Sequence, residues 1–403
     1  MLKLRPAIVL ESDAPDARDA AAGVARAALR TSEQRLLVEL VTAADGDAVH
    51  TSPRPAIADV ALVGRAQVGD EVIVNVEALD LGLGSGGFDI VHVNLTRGLD
   101  GEEDQDALHA RVMKLNYTSL QHVVRPVDDQ GVEVPPPRPV AVLALHDQLA
   151  AVAWAFAQGA PGARLGYVQT AGGALPGGHS RAVAALVERG LLAGHITAGG
   201  AFGGALEAIT TAGALHHALG ALGWDAAVCG PGPGIVGSGA ALGHGGMAAL
   251  DSAHVALALG CPTLLVAHMS ATDEGARHRA ISPHTLTVLD LLLEPVTVAL
   301  PAGMRSPVGT DLRASLGAVF AGGRQARPAV GVDVARPVRI TRHDWRRAAV
   351  DLPAYAASGL PSETMSRGPA EDPLFFGAAL AGGTALAELV AETDPQEGDG
   401  EST

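Results

Sequence analysis

The sequence predicts an α/β protein, a Rossmann-like parallel sheet with flanking helices, preceded by a small β-rich, barrel-like domain. Three observations support this prediction. From residue 140 onward, β-branched segments alternate with helical segments, which is the pattern of a parallel sheet. Before residue 134, short β-branched segments follow one another with turn signals between them, as in small barrels or sandwiches. A proline-rich stretch at 135–139 separates the two patterns and favours a stiff, extended linker.

A chain of 403 residues is expected to form two folded units. We place the β-rich barrel or sandwich domain at 1–134, with an insertion at 13–30 that is first acidic and then alanine-rich. The α/β domain is placed at 140–300. A C-terminal extension at 301–392 is expected to pack on the α/β domain, and the tail at 393–403 is predicted to be disordered.

The individual elements follow from these patterns. Strands of the first domain are predicted at residues 8–10, 36–41, 57–63, 71–79, 89–95 and 119–127. Strands of the α/β domain are predicted at 140–145, 165–169, 195–197, 226–229, 263–267 and 296–300. Helices are predicted between and after them, at 148–158, 180–192, 206–222, 247–259 and 285–293. Beyond residue 301 we expect a strand at 337–340 and a helix at 374–391.

Composition excludes several classes of partner. The formal net charge of −16 disfavours binding to nucleic acid or to anionic lipid. No apolar run approaches the roughly 18 residues that span a bilayer, so we expect a globular protein with no membrane partner. The first ten residues lead directly into a strand and lack the pattern of a secretory signal, which predicts a cytoplasmic protein. Cys229 and Cys261 both lie in apolar segments, as buried thiols of a reducing compartment do.

The loops that follow the strands carry the candidate binding residues. Ligands of open parallel sheets bind at the carboxyl ends of the strands, and five of the predicted strands end in glycine-rich or polar loops. Glycine permits a close approach of the backbone, and amides at helix starts attract anions, so a small anionic metabolite fits best. The alternative is that these glycines only make tight strand-to-helix turns. The predicted ligand-binding residues are Gly172, Gly173, Ser180, Arg181, Gly199, Gly200, Gly232, Gly234, Gly237, Ser238, Ser270, Arg277 and Arg279.

The densest polar segment spans residues 270–285. Arg277 and Arg279 flank a histidine in this segment, an arrangement that can clamp a dianion. The alternative is a solvated loop that caps the next helix. The candidate catalytic residues, chosen for proton transfer beside such a clamp, are His146, Asp273, His278 and His284.

Two motifs point to other chemistries, and each is weak. Gly232, Gly234 and Gly237 match G-x-G-x-x-G after a strand, but the acidic residue that binds a ribose is missing after the next strand. The order Ser180, Asp273, His284 suits an α/β-hydrolase triad, but the strand before Ser180 ends about ten residues too early for a nucleophile elbow. A helix N-cap is therefore the favoured role of Ser180.

Histidines near the strand ends raise the question of a metal. No spacing among them is diagnostic, and H-E-x-x-H and C-x-x-C motifs are absent from the sequence, so no metal ligand is assigned and the cofactor is left open. The histidines near predicted strand ends are His146, His179, His244, His268, His278 and His284.

The same loops carry a resemblance to a known family. The sequence resembles the bacterial proteins grouped as domain of unknown function 3866 (DUF3866). The resemblance implies a cytosolic protein and supplies no catalytic residues. The stretches that carry it are residues 79–88, 112–121, 166–181, 196–208, 230–239 and 277–285.

Two functional hypotheses follow from the sequence. The first is a cytosolic enzyme, or enzyme-like protein, that binds a small anionic or phosphorylated metabolite at the carboxyl ends of the strands. The second is a noncatalytic ligand sensor or assembly protein whose β-rich domain contacts a partner. A homodimer is the default oligomer for either.

Overall fold

The structure is a computed structural model, and it describes residues 2–13, 33–44, 47–50, 52–82, 87–97, 112–128, 137–238, 240–275, 278–305 and 342–393. Contacts between residues divide the chain into two compact units, Met1–Arg125 and Pro126–Thr403. Several predicted features lie outside the described residues. These are the insertion beyond Asp13, the strand at 337–340, Arg277 and the tail beyond Thr393.

The first unit contains a closed five-stranded barrel, as the sequence predicts. The strand order is β1-β5-β6-β4-β2, and β2 pairs again with β1, which closes the ring. A further strand, β3, pairs with the end of β2. Alternate side chains such as Val38, Val72 and Val74 are fully buried and fill the interior, because successive residues of a strand point to opposite faces. The strands are β1 (Leu4–Ser12), β2 (Glu33–Ala44), β3 (Asp47–His50), β4 (Arg54–Asp59), β5 (Glu71–Asn75) and β6 (Asp89–Asn94).

Three details of the first unit differ from the prediction. The strand predicted at 57–63 ends at Asp59, whose side chain caps a short helix, α1 (Val60–Val63). The strand predicted to continue to residue 79 gives way to a second short helix, α2 (Glu77–Asp80). Residues 119–127 do not add to the barrel, because β8 (His122–Val124) pairs with β7 (Val112–Lys114) in a separate hairpin. Strands β4 and β6 run parallel, whereas the other neighbouring strands of the barrel are antiparallel.

The second unit is built on an eight-stranded sheet in which every pairing is parallel. The strand order is β12-β11-β10-β13-β9-β14-β17-β18. Its central strands are buried along their whole length and consist mostly of apolar residues, as expected for a sheet covered on both faces. The strands are β9 (Val140–Val142), β10 (Leu165–Thr170), β11 (Gly194–Ala198), β12 (Leu206–Ala208), β13 (Ala226–Pro231), β14 (Thr263–Leu265), β17 (Thr297–Pro301) and β18 (Asp344–Ala348). A two-stranded ribbon, β15 (Met269–Ser270) with β16 (Ala280–Ile281), follows β14.

Helices cover both faces of this sheet, which gives a three-layer α/β/α arrangement. The helices are α3 (Leu149–Gly159), α4 (Arg181–Glu188), α5 (Thr211–Leu219), α6 (Ala248–Ala258), α7 (Pro283–Leu291), α8 (Leu352–Ala356) and α9 (Pro373–Thr393). Apolar residues of α3, α4 and α9 share one core with one face of the sheet. Apolar residues of α5, α6 and α7 share a second core with the other face.

One predicted element of the second unit was wrong, and one edge strand of the sheet was not predicted. The helix predicted at 206–222 is an edge strand, β12, followed by the shorter helix α5, which Thr210 caps. Glu207 therefore lies in a strand, where its carboxylate accepts hydrogen bonds from Thr197 Oγ1 and the Gly203 amide, both at 2.7 Å. Strand β18 is absent from the prediction because an edge strand is half solvated, and its Asp-Trp-Arg-Arg-Ala sequence has no apolar alternation.

The C-terminal extension contains the long apolar helix α9. Among the described residues it is the one helix long and apolar enough to cross a membrane, with a mean hydropathy of 1.7, and 83% of that stretch is buried inside the fold. It packs closely on α3, because a β-carbon at Gly383 would lie 2.2 Å from the Val152 carbonyl oxygen. Glycine at this point permits the two helix backbones to touch.

The order of the strands places a switch point at the centre of the sheet. The chain leaves β9 and β10 toward the face that carries α3 and α4, and it leaves β13 and β14 toward the face that carries α6 and α7. Neighbouring strands β10, β13, β9 and β14 therefore send their loops alternately to opposite faces. Such points open crevices at the carboxyl edge, where ligands of α/β proteins bind.

Candidate functional site

Loops from the four central strands meet at the carboxyl edge of the sheet. The loop after β10 contacts the loop after β13, where the Ala174 amide donates to the Pro233 carbonyl at 3.0 Å. The loop after β9 contacts the end of β14, where Gln148 Nε2 donates to the Ala267 carbonyl at 3.0 Å. The site described below is built from these loops and from α7.

Several predicted glycines pack the loops against one another. A β-carbon at Gly173 would lie 2.2 Å from the Gly232 carbonyl oxygen, and one at Gly232 would lie 2.2 Å from Gln169 Nε2. Gly172 has a φ of +114°, a conformation that side chains rarely adopt. These glycines therefore have a packing role that is sufficient to explain them.

The remaining predicted glycines and Ser238 are more exposed. Gly199 and Gly200 follow β11 on the surface, and a β-carbon at either would meet open space. Gly237 pairs with His244, and the Ser238 amide donates to the Gly243 carbonyl at 2.6 Å, so this loop folds back on itself. Gly234 is exposed and adopts a φ of +81° beside Ala174.

The G-x-G-x-x-G match lacks the structural context of a dinucleotide site. In that motif the glycines open a helix directly after the strand. Here β13 ends at Pro231, Gly237 forms a β-bridge with His244, and α6 begins only at Ala248.

Four histidines converge beside α7, and we call them the histidine cluster. His244 comes from the loop after β13, His268 and His278 from the segment after β14, and His284 from the first turn of α7. The rings of His244 and His284 are stacked with centroids 4.0 Å apart and an interplanar angle of 11°. The centroid distances are 5.2 Å from His278 to His284 and 6.4 Å from His268 to His278.

The local sequence fixes this cluster. Ser282 caps α7, and Pro283 occupies its first turn, so His284 is held at the helix start. The Ser282 amide donates to the His268 carbonyl at 2.9 Å, and the His268 amide donates to Thr285 Oγ1 at 2.9 Å. These two bonds hold the backbone of His268 against the start of α7, which carries His284.

Burial and repulsion between the rings disfavour the charged forms of His268 and His244. Burial lowers the pKa of His268 to about 3, and repulsion from His278, His284 and His244 adds to this, while Asp273 opposes it. The pKa of His244 is also lowered, first by burial and then by His278. Nδ1 of His244 accepts a hydrogen bond from the Gly246 amide at 3.0 Å, so the proton of the neutral ring lies on Nε2.

Carboxylate and arginine side chains from the C-terminal extension contact the ribbon segment that includes His278. Asp372 accepts hydrogen bonds from Ser270 Oγ at 2.5 Å and from the Ala271 amide at 2.8 Å. Arg367 lies 3.5 Å from Asp273 and 3.8 Å from Asp372. Arg279 is exposed and donates from Nε to the Asp273 carbonyl at 2.9 Å.

A second polar group forms around His146. Its Nε2 lies 2.8 Å from Ser180 Oγ, and its Nδ1 lies 3.3 Å from the Tyr167 hydroxyl. Burial lowers the pKa of His146 to about 4. Ser180 also caps α4, as its Oγ accepts from the Val183 amide at 3.0 Å.

The predicted site residues thus fall into separate groups. The structure brings His278 and His284 together, with Ser270, Asp273 and Arg279 on the adjoining ribbon segment. His146 and Ser180 form the second group. Arg181 is exposed at the start of α4, and the loop of Gly199 and Gly200 contacts the loop after β10, where the Gly177 amide donates to Phe202.

Sequence reasoning left four contributors out of the site. His244 and His268 are not among the predicted site residues, because the sequence shows only that they lie near predicted strand ends. Arg367 and Asp372 lie in the C-terminal extension, about 100 residues from their partners, and no local motif marks them. Among the described residues, no group of three or more His, Cys, Asp or Glu side chains is arranged to hold a metal ion.

Comparison with known proteins identifies the family. The family model described as protein of unknown function DUF3866 matches residues 55–383. Neither the curated proteins nor the solved structures contain a significant match. Because the match covers most of the chain, from β4 to α9, the protein belongs to the DUF3866 family.

Proposed function

We propose that this protein is a cytosolic enzyme that binds a small anionic or phosphorylated metabolite at the carboxyl edge of the parallel sheet. The observation that carries the proposal is the histidine cluster, in which three segments supply four imidazole rings. The centroids of the contacting rings are 4.0, 5.2 and 6.4 Å apart. A cytosolic location is supported by two buried, free cysteines, which are typical of a reducing compartment.

The cluster favours an anion for an electrostatic reason. Each protonated ring would repel its neighbours, which is one cause of the low pKa of His268. A bound anion would offset both that repulsion and the cost of burial, so it would raise these pKa values. His244 contributes an Nε2 proton even when its ring is neutral. Arg279 is exposed nearby and supplies a permanent positive charge.

The same groups support proton transfer. At neutral pH the low pKa of His268 leaves its imidazole as a base. A bound anion would raise the pKa of a cluster histidine toward neutrality, where one ring can both accept and donate a proton. His278 and Asp273 lie on the segment that also carries Arg279, and we assign proton transfer to this segment.

Sulfate tests the binding step, because it stays a dianion across the pH range in which histidines titrate. We expect sulfate to bind more tightly as pH falls from 8 to 6, because the complex takes up protons that the free protein does not hold. Isothermal titration in two buffers of different ionisation enthalpy measures that proton uptake. Affinity that is independent of pH, with no proton uptake, would contradict the proposal.

Arg279→Gln provides the matching mutational test. Loss of a charged hydrogen-bond donor should weaken sulfate binding about tenfold or more. Arg164→Gln is the control, since Arg164 is equally exposed but precedes β10 and donates to the Leu222 carbonyl at the opposite edge of the sheet. Arg277→Ala tests the second arginine of the predicted clamp in the same titration. Unchanged affinity in both Arg279→Gln and Arg277→Ala would exclude the clamp.

A noncatalytic sensor or assembly protein is the second candidate. One observation favours it: the hairpin of β7 and β8 exposes apolar side chains, which is typical of partner-binding surfaces. They are Met113, Tyr117, Leu120 and Val123. An enzyme converts its ligand, whereas a sensor returns it intact and changes shape or oligomeric state. Mass spectrometry of the ligand after incubation separates the two.

A further inference from the structure

The hydrogen bonds around Ser180 and His146 determine which nitrogen of the His146 ring carries the proton. The Tyr167 hydroxyl lies 2.8 Å from the Pro231 carbonyl oxygen and 3.1 Å from the Gly230 carbonyl oxygen, so its hydrogen is donated to the backbone. Its oxygen is then an acceptor for His146 Nδ1, 3.3 Å away. This places the ring proton on Nδ1.

Nε2 of His146 therefore carries the lone pair, and it accepts the hydroxyl proton of Ser180 at 2.8 Å. The Ser180 oxygen is left with lone pairs, one of which accepts from the Val183 amide. One assignment of protons satisfies every bond in the group. It is the assignment that a serine nucleophile and its general base require.

The strand order produces this arrangement. His146 follows β9, and Ser180 caps α4, the helix that comes after β10. In the sheet, β13 lies between β9 and β10. Tyr167, within β10, is fully buried and reaches β13 through its hydroxyl. Ser180 also caps the start of a helix. The amides of the first helical turn have no hydrogen-bond acceptor within the helix, so they can stabilise negative charge.

We propose that Ser180 and His146 are the nucleophile and general base of an acyl-transfer reaction on an activated carboxylic ester or thioester. Ser180 Oγ bonds to the acyl carbon, its proton moves to His146 Nε2, and the carbon–leaving-group bond breaks as the leaving group takes that proton. Water then attacks the acyl-serine, the carbon–Oγ bond breaks, and the proton returns to Ser180. Tyr167 is a positioning residue, which holds the ring of His146. The proposal does not depend on anion binding at the histidine cluster.

Access to Ser180 requires a local opening of the structure, because Ser180 is 2% exposed and His146 is 6% exposed. The pair is therefore expected to react in an open form of the protein, and its reaction rate should saturate at high reagent concentration.

A fluorophosphonate tests the pair, because it reacts with serines that have an adjacent base. The Oγ–P bond forms, the P–F bond breaks, and fluoride leaves. We expect one adduct per chain by intact mass spectrometry, placed on Ser180 by peptide mapping. Since His146 is already neutral above a pKa of about 4, the labelling rate should stay level from pH 8 down to pH 5.5.

Two variants separate catalysis from structure. Ser180→Asn keeps an N-cap acceptor for α4 but removes the nucleophile, so it should fold and remain unlabelled. His146→Gln keeps a hydrogen-bonding group beside Ser180 but removes the base, so labelling should slow at least 100-fold. Circular dichroism confirms that each variant is folded. An unlabelled wild type, or His146→Gln labelled as fast as wild type, overturns the proposal.

Discussion

Gly166→Ala is expected to cost about 3–5 kcal/mol of unfolding free energy, the scale of losing a large buried side chain. A β-carbon at residue 166 would lie 2.1–2.2 Å from three atoms of the Trp224 ring. Trp224 is 1% exposed and belongs to the core under α5 and α6, so its ring can move only against other buried side chains. Because Gly166 lies in β10 at the middle of the sheet, its backbone cannot retreat without breaking pairing with β11 and β13.

Chemical denaturation of two glycine-to-alanine variants, which contact the Trp224 ring to different extents, measures this effect. Gly194→Ala places its β-carbon 2.9 Å from one atom of the same ring and should cost less than Gly166→Ala. Gly200→Ala meets nothing within 4 Å and is the neutral control. If Gly166→Ala unfolds at the same denaturant concentration as Gly200→Ala, the packing of Trp224 against β10 is wrong.

Acid is expected to destabilise the protein steeply below pH 6.5. Burial lowers the pKa of His146 to about 4, and lowers those of His195 and His268 to about 3, from 6.5 in an unfolded chain. Between those values the unfolded state binds more protons than the folded state, so the free energy of unfolding falls as pH falls. Each of the three groups contributes up to about 1.4 kcal/mol per pH unit.

His268→Asn isolates one of these contributions. Urea titrations at pH 7.5 report the packing cost of the substitution, because the three histidines are then neutral in both states. Titrations from pH 6.5 to pH 4.5 report the slope, which should be shallower in His268→Asn by up to about 1.4 kcal/mol per pH unit. An identical slope in the two proteins would show that the pKa of His268 is unchanged by folding.

The parallel sheet could be predicted because its strands carry a strong local signal. Strands β10 and β13 are buried along their whole length and consist mostly of apolar residues, and both predicted ranges lie inside the observed strands. The signal is weaker at the edges of the sheet. Strands β12 and β18 each have one neighbour, and their sequences resemble helix or loop, so β12 was predicted as helix and β18 was absent from the prediction.

The location of the site at the carboxyl edge follows from a rule of topology. Which side chains contact one another within the site does not. Ser180 was weighed as part of a triad with Asp273 and His284, whereas the structure places it against His146. That contact depends on β13 lying between β9 and β10, which no local pattern encodes. Arg367 lies 3.5 Å from Asp273 although the two residues are far apart in the sequence, so no local pattern marks this contact either.

Native mass spectrometry tests the central claim, that the histidine cluster binds an anion, most directly. The protein is purified without added ligand, measured with and without millimolar phosphate, then denatured so that any bound molecule can be identified. We expect a retained anionic metabolite, or one phosphate gained per chain, and loss of either in His284→Asn but not in His254→Asn, whose ring accepts from the Leu293 amide outside the cluster. A protein that stays empty in phosphate, or that releases a metal ion instead, would contradict the account.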